Sequence, residues 1–331
     1  MRILFITATR IGDAVLSTGL LAHLIERHPG ARLTIACGPA AAPLFAAVPG
    51  LDEVIVMNKA PLALHWRKLW RATWARRWDL VVDLRGSGLA YLLRARERRV
   101  IAGSGAPLHR VSLLAQAFAL APPPSPRLWT GPEHRQAALR LMPAAPKALA
   151  LGPTANWIGK QWPADRFAAL ALRLTAADGI LPGTPIAVFG AASERAMAAP
   201  LLAAIAPERR IDLVGHLDLL TAYACLGQAA LYIGNDSGLM HMAAASGIPT
   251  LGLFGPSRDE LYAPWGRCTA LVRTPESFAE IIGKPGYDHR AGISHMGSLA
   301  LEPVVAAATA LWQRRQAEPG IEPEPEAPAG E

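Results

Sequence analysis

Cysteine is scarce in this chain. Cys37, Cys225 and Cys268 are the only three in 331 residues. They stand far apart and without a paired spacing, which excludes a disulfide framework and a cysteine-based zinc site and points to a reducing compartment, the cytosol. Long hydrophobic runs are also missing: the two uncharged stretches as long as a membrane span, 33–51 and 237–257, are each broken by Gly and Pro. The apolar opening, "MRILFITATRIGDAVLSTGLLAHLIERHPG", is interrupted by Arg10 and Asp13 and lacks both a basic leader and a small-residue cleavage site. It reads as strand, loop and helix. Acidic residues are few in the first half: through residue 140 there are 19 Lys and Arg against 8 Asp and Glu, whereas the remainder has 14 against 18. The first half is therefore a basic surface, suited to nucleic acid, phospholipid headgroups or a phosphorylated glycan.

A chain of this length exceeds what one hydrophobic core organises, and 51% of it is apolar, enough for two. Short Val-, Ile- and Leu-rich runs alternate with helix-length segments: "RILFIT", "RLTIAC", "EVIVMN" and "DLVVDL" first, then "KALALG", "PIAVFG", "IDLVG", "ALYIGN" and "PTLGLFG". The pattern restarts after the Pro-rich "ALAPPPSPRLWTGPEH". It predicts an α/β protein of two doubly wound units, residues 1–140 and 141–317, with parallel sheets covered on both faces. The remaining segment, 318–331, is Pro- and Glu-rich, cannot build a core and is expected to be disordered. Ligands of doubly wound units bind beyond the carboxyl ends of the strands, so the cleft between the units is the expected active site.

Five segments could carry chemistry. In "GNDSGLMHMAAASG" a buried strand turns at Asp236 and Ser237 into a helix whose first residue, Gly238, lets a ligand approach the backbone. Free amide donors and the positive dipole end make that helix mouth an anion site; equally, Ser237 is an N-cap and His241 a satisfied helix-facing histidine. A nucleophile elbow would need Gly two residues either side of the Ser, and those positions hold Asn235 and Leu239. In "LGPTANWIGKQWPADRF" a strand runs into a loop with Thr154, Asn156 and Lys160; the lysine can reach an oxyanion or simply be solvated. Glu194, after "VFGAAS", can accept hydrogen bonds from a ribose or merely favour a first helical turn. Asp13 opens the first helix after the first strand, as a general base for a hydroxyl or as a cap. In "WRKLWRATWARRW", Trp66, Trp70, Trp74 and Trp78 recur every four residues and so share a helical face, ringed by Arg67, Lys68, Arg71, Arg76 and Arg77. That helix either lies on an anionic membrane or acceptor, or packs its tryptophans into the core.

Taken together these positions resemble glycosyltransferase family 9, the ADP-heptose:lipopolysaccharide heptosyltransferases, from "RILFITATRIGDAVLSTGLL" to about "ALWQRR". "NDSGLMHMAAASGIPTLGLFGPS" is the most specific part, supported by "GKQWPADRF" and "GDAVLSTGLL". The resemblance implies a GT-B fold, an acceptor-binding amino domain, a nucleotide-sugar-binding carboxyl domain and no required metal or cofactor. It implies Asp13 as the base that activates the acceptor hydroxyl, with inversion at the anomeric carbon. Lys160 and the amides of Ser237, Gly238 and Leu239 would hold the diphosphate. Asp236 would face the sugar, His241 would support the phosphate site, Glu194 would bind the ribose, and Val214 to Leu217 would border the adenine. Asn156 belongs to the same donor loop, where it and Ala155 replace the hydroxyl residues usual in heptosyltransferases; His295 stands where many members have Cys. The implied partners are a nucleotide sugar, an anionic lipid-linked glycan and the cytoplasmic face of the inner membrane, with no nucleic acid. Two other readings remain open: a non-transferring epimerase or hydrolase of the same fold, and a noncatalytic module that binds anionic lipid or glycan.

Overall fold

Continuous apolar runs make strands that are buried on both faces, and the helix after each run folds back to cover the sheet. The computed structural model describes residues 1–101 and 107–318. It divides into two compact units, the first Met1–Gly131 and the second beginning at Pro132.

The first unit runs β1 (Arg2–Ile6), α1 (Ile11–Arg27), β2 (Arg32–Cys37), β3 (Leu51–Val56), α2 (Leu64–Thr73), β4 (Arg77–Asp83), β5 (Arg94–Val100) and α3 (Arg110–Gln116). Its sheet is parallel throughout, in the order β3-β2-β1-β4-β5. Leu4 and Ile6 of β1 and Val81 of β4 pack beneath Leu69 of α2 and Leu89. The arginine-rich run "RARERR" forms the edge strand β5, where charged side chains discourage pairing with another strand.

The four-residue tryptophan period does not mark one helix. Helix α2 stops at Thr73, whose hydroxyl turns back onto Leu69 O at 2.7 Å, and the chain enters β4 at Arg77. Trp66 and Trp70 lie on α2 and pack on the core; Trp74, at the helix end, is exposed and stacks on Trp70 at 5.8 Å. Trp78 is a strand residue, buried, and donates its indole N–H to Thr73 O at 3.1 Å. A spacing of four is also an even number, so Trp78 can alternate inward on a strand as readily as it could on a helix. The arginines divide with it. Arg67, Lys68 and Arg71 stay exposed on α2, Arg76 pairs with Glu53 at 2.8 Å, and Arg77 begins β4 beside Arg94 of β5.

The second unit comprises α4 (Pro132–Leu141), β6 (Leu149–Gly152), α5 (Ala164–Leu174), β7 (Ile186–Val188), α6 (Arg195–Ala204), β8 (Arg210–Asp212), α7 (Leu219–Gly227), β9 (Leu231–Asn235), α8 (Gly238–Ala245), β10 (Thr250–Phe254), α9 (Asp259–Tyr262), β11 (Thr269–Arg273), α10 (Phe278–Ile282) and α11 (Leu301–Ala317). Its parallel sheet has the order β11-β10-β9-β6-β7-β8. The chain winds outward from β6 through β8, then returns to lay β9 against the other side of β6. Winding therefore reverses between β6 and β9, which opens a crevice beyond their carboxyl ends. Trp162, Phe167, Leu170, Leu201, Val304 and Leu311 belong to one core. Helix α4 packs on α7, so Pro132–Leu141 belongs to this unit and the boundary falls earlier than the one expected after residue 140. The expected disorder of the Pro/Glu-rich tail concerns residues that, from 319 on, lie outside the described ones.

Candidate functional site

The crevice between β6 and β9 gathers most of the candidate residues of the second unit. Gly152 and Gly234, the neighbouring positions where the two strands end, are in register. The chain after β6 crosses Pro153 to Asn156 and makes a single 3-10 turn, Ile158–Lys160. The chain after β9 turns at Asp236 and Ser237 into α8. These two turns, remote in sequence, meet: Lys160 Nζ lies 2.5 Å from Asp236 Oδ2. The Asp236 side chain is 8% exposed and that of Lys160 25%, so the lysine is no freely solvated cation.

Asn235 explains why the turns meet. It is fully buried, accepts from the Trp162 N–H at 3.0 Å through Oδ1 and donates to Pro153 O at 2.7 Å through Nδ2. One amide side chain thus ties the end of β9 to both ends of the lysine-bearing loop. Asn156 lies on that loop and is exposed, whereas Thr154 is buried and donates to Glu194 Oε2 at 2.7 Å. The same carboxylate oxygen accepts the Ala191 N–H at 2.9 Å, which leaves the other oxygen for a ligand hydroxyl. Glu194 therefore braces the loop after β7 against the loop after β6. The loop after β8 joins them at Gly215, which has a positive φ of 78° and where a Cβ would come within 2.8 Å of Ala192 Cα.

Ser237 occupies the N-cap position of α8, with φ −151° and ψ 171°, but its hydroxyl makes no capping bond. The first N–H groups of a helix have no partner within it, so the amides of Gly238 and Leu239 are donors at this mouth. Ser237, Gly238 and Leu239 are half-buried there, and His241 is buried one turn into the helix. Lys160 adds a full positive charge beside these dipoles. The assembly can hold a diphosphate and stabilise charge that develops on it.

In the first unit the corresponding reversal of winding lies between β1 and β4. Asp13 is half-buried in the first turn of α1 just beyond β1; the N-cap position is Arg10, so Asp13 is not the cap. The loop after β4 is shaped by Asp83, a fully buried carboxylate that accepts from Arg85 N at 2.9 Å, Ser87 N at 3.0 Å and Ser87 Oγ at 2.6 Å. The three cysteines are buried; Cys37 and Cys225 are pushed up to about 12, the first by burial and the second by burial and then Asp218. They supply no thiolate nucleophile. Among the described residues no group of three His, Cys, Asp or Glu side chains is arranged to hold a metal ion.

The sequence model of glycosyltransferase family 9 (heptosyltransferase) matches residues 82–281. The chain belongs to this family and is a glycosyltransferase. A lipopolysaccharide heptosyltransferase 2 of Salmonella typhimurium is 25% identical over 311 residues, covering 82% of this chain and 88% of the relative. A solved family 9 glycosyltransferase from Veillonella parvula superposes with a TM-score of 0.75 at 22% identity, covering 95% of this chain and 97% of that one. The E. coli ADP-heptose LPS heptosyltransferase II gives a TM-score of 0.73 at 22% identity, covering 96% and 100%. These neighbours establish the GT-B fold. Within this family 9 chain, sequence reasoning found Lys160 and Asp236 separately but missed that they pair. It also passed over Asn235 as the tie to both ends of the lysine-bearing loop; its one signal was an amide at the end of an otherwise apolar strand.

Proposed function

We propose that the enzyme moves a heptose, or a related sugar, from an ADP-sugar to the lipopolysaccharide core or a related glycan acceptor, with inversion and without a metal. The observation that carries this reading is the Lys160–Asp236 pair set beside the open amides of α8 at the β6–β9 reversal. In it, Lys160 and the amides of Ser237, Gly238 and Leu239 bind the diphosphate, and their fixed charge and dipoles stabilise it as it leaves. Glu194 takes the ribose, Asn156 and His241 support the donor, Val214 to Leu217 border the adenine, and Asp236 faces the sugar. Asp13 removes the acceptor's hydroxyl proton as that oxygen attacks the anomeric carbon from the side opposite the diphosphate, so configuration inverts. The donor is supported by the E. coli relative, whose solved structure is of an ADP-heptose LPS heptosyltransferase.

The same reading brings the first unit to an anionic lipid-linked acceptor at the cytoplasmic face of the inner membrane. Its support is the exposed cations Arg67, Lys68 and Arg71 on α2, with Trp74 exposed at the helix end. Arg77 adds exposed charge at the start of β4; Arg76, paired with Glu53, adds less. Among the described residues no helix is long and apolar enough to cross a membrane. A thermal-shift screen of nucleotides and nucleotide sugars tests the donor assignment. ADP and ADP-heptose, at about 100 times their Kd, should each stabilise the protein by about 2.7 kcal/mol. Stabilisation by uridine or guanosine diphosphate sugars, with none from adenosine diphosphates, would reassign the donor.

A further inference from the structure

Strand β9 carries a tyrosine whose hydroxyl has been given unusual room. Tyr232 is fully buried, and its side chain lies along the strand over Gly234, two residues on, and over Gly152, the register partner of Gly234 on β6. A Cβ at either glycine would overlap the Tyr232 hydroxyl. Two glycines at or next to the ends of the two strands that border the donor crevice thus leave space for the tip of this ring, its Cζ and its hydroxyl.

That oxygen faces the Ser237 hydroxyl at the mouth of α8, and the two do not close a well-aligned hydrogen bond. Burial pushes the Tyr232 phenol well up from its ordinary value; the Ser237 hydroxyl beside it works the other way, and the Glu194 carboxylate adds to the rise. The phenol therefore keeps its proton at working pH and remains a donor. Ser237, with no capping bond, has a buried hydroxyl oxygen that can still accept one hydrogen bond and donate another. Buried polar groups left in this state are costly, and a pair of them at a helix mouth points to a third participant.

We propose that Tyr232 is a positioning residue for the donor phosphate: it donates to Ser237 Oγ and so directs the Ser237 proton outward to a phosphate oxygen at the N-terminus of α8. The inference rests on the donor site proposed above. Tyr232 touches no substrate; it acts through Ser237, and the chain of two hydrogen bonds strengthens as the phosphate accepts. No bond to carbon or phosphorus is made or broken by it.

The test is a double-mutant cycle on the full chain with Y232F, S237A and the pair together, reading ADP affinity by calorimetry, donor KM and kcat, and Tm. Each single change should weaken ADP binding by about five- to tenfold, the loss of one ordinary hydrogen bond. The double variant should bind no worse than S237A alone, since Tyr232 has nothing to act through once the hydroxyl is gone. Y232F should keep the wild-type Tm, because it removes an atom that lacks a good partner. Y232F with wild-type ADP affinity, or single losses that multiply in the double variant, would overturn the proposal. A wild-type chain that binds no ADP would instead overturn the donor site, and the role of Tyr232 with it.

Discussion

Lys160 and Asp236, 76 positions apart in the chain, meet at 2.5 Å where the loops after β6 and β9 converge. The pair holds a cation against the turn that opens α8. Breaking a buried ion pair from one side costs about 3–5 kcal/mol because the remaining charge is uncompensated. Lys160 keeps a quarter of its side chain in water, so the two halves are unequal. K160M, which strands Asp236, should lower stability more than D236N, which leaves a lysine able to reach solvent. Their effects on ADP should oppose: K160M weakens binding, whereas D236N retains or improves it by removing a negative charge beside the phosphates. Denaturant melts and ADP titrations of the two variants check this.

Asn235 should matter for stability first. N235A leaves the Trp162 N–H and Pro153 O without their partner, at about 1–3 kcal/mol for each buried group orphaned. A fall in Tm larger than that of N156A, on the exposed part of the same loop, is the expected result.

The basic face of α2 should bind anionic vesicles in a salt-sensitive way, since exposed charges are screened beyond about 10 Å at 0.1 M salt. The triple variant R67E/K68E/R71E should lose this binding more completely than R76E, because Arg76 is already paired with Glu53. Cosedimentation with phosphatidylglycerol vesicles at two salt concentrations reads it directly. Equal losses would place the contact nearer β4 than α2.

Acid should loosen the segment before α11. Hydrogen bonds from Ser298, then from Lys284 and its own backbone, hold the Glu276 carboxyl down at about 2. A carboxyl whose folded value is depressed contributes stability that is complete above its unfolded value and is lost as pH falls through the folded one. The loss should therefore run from about pH 4.5 down to about 2. S298A should flatten this acid limb in a melt-versus-pH series by lowering the neutral end toward an acid end that stays where it was.

All strands but the edge strands β5 and β11 were legible from their apolar runs, since an element buried on both faces leaves an unbroken hydrophobic signature and the charged β5 and half-buried β11 do not. The helix mouth at Ser237 was legible as well, because turn, small residue and apolar helix follow one another locally. The tryptophan segment was not: positions 66, 70, 74 and 78 satisfy a helical face and an inward strand position alike, and only pairing with β1 and β5 assigns Trp78 to β4. Tyr232 and Asn235 were equally opaque. Their meaning depends on Gly152, Pro153 and Trp162, which the fold brings alongside from another loop.

The most direct measurement of the central claim is transfer itself. The wild-type chain is incubated with ADP-heptose and a heptose-deficient lipopolysaccharide acceptor, and the acceptor product and released ADP are quantified beside those of D13A. The account predicts one ADP released per heptose added, an inverted linkage by NMR, and transfer abolished in D13A while its ADP affinity and Tm stay those of the wild type. Donor consumed without acceptor, or undiminished transfer by D13A, would contradict it.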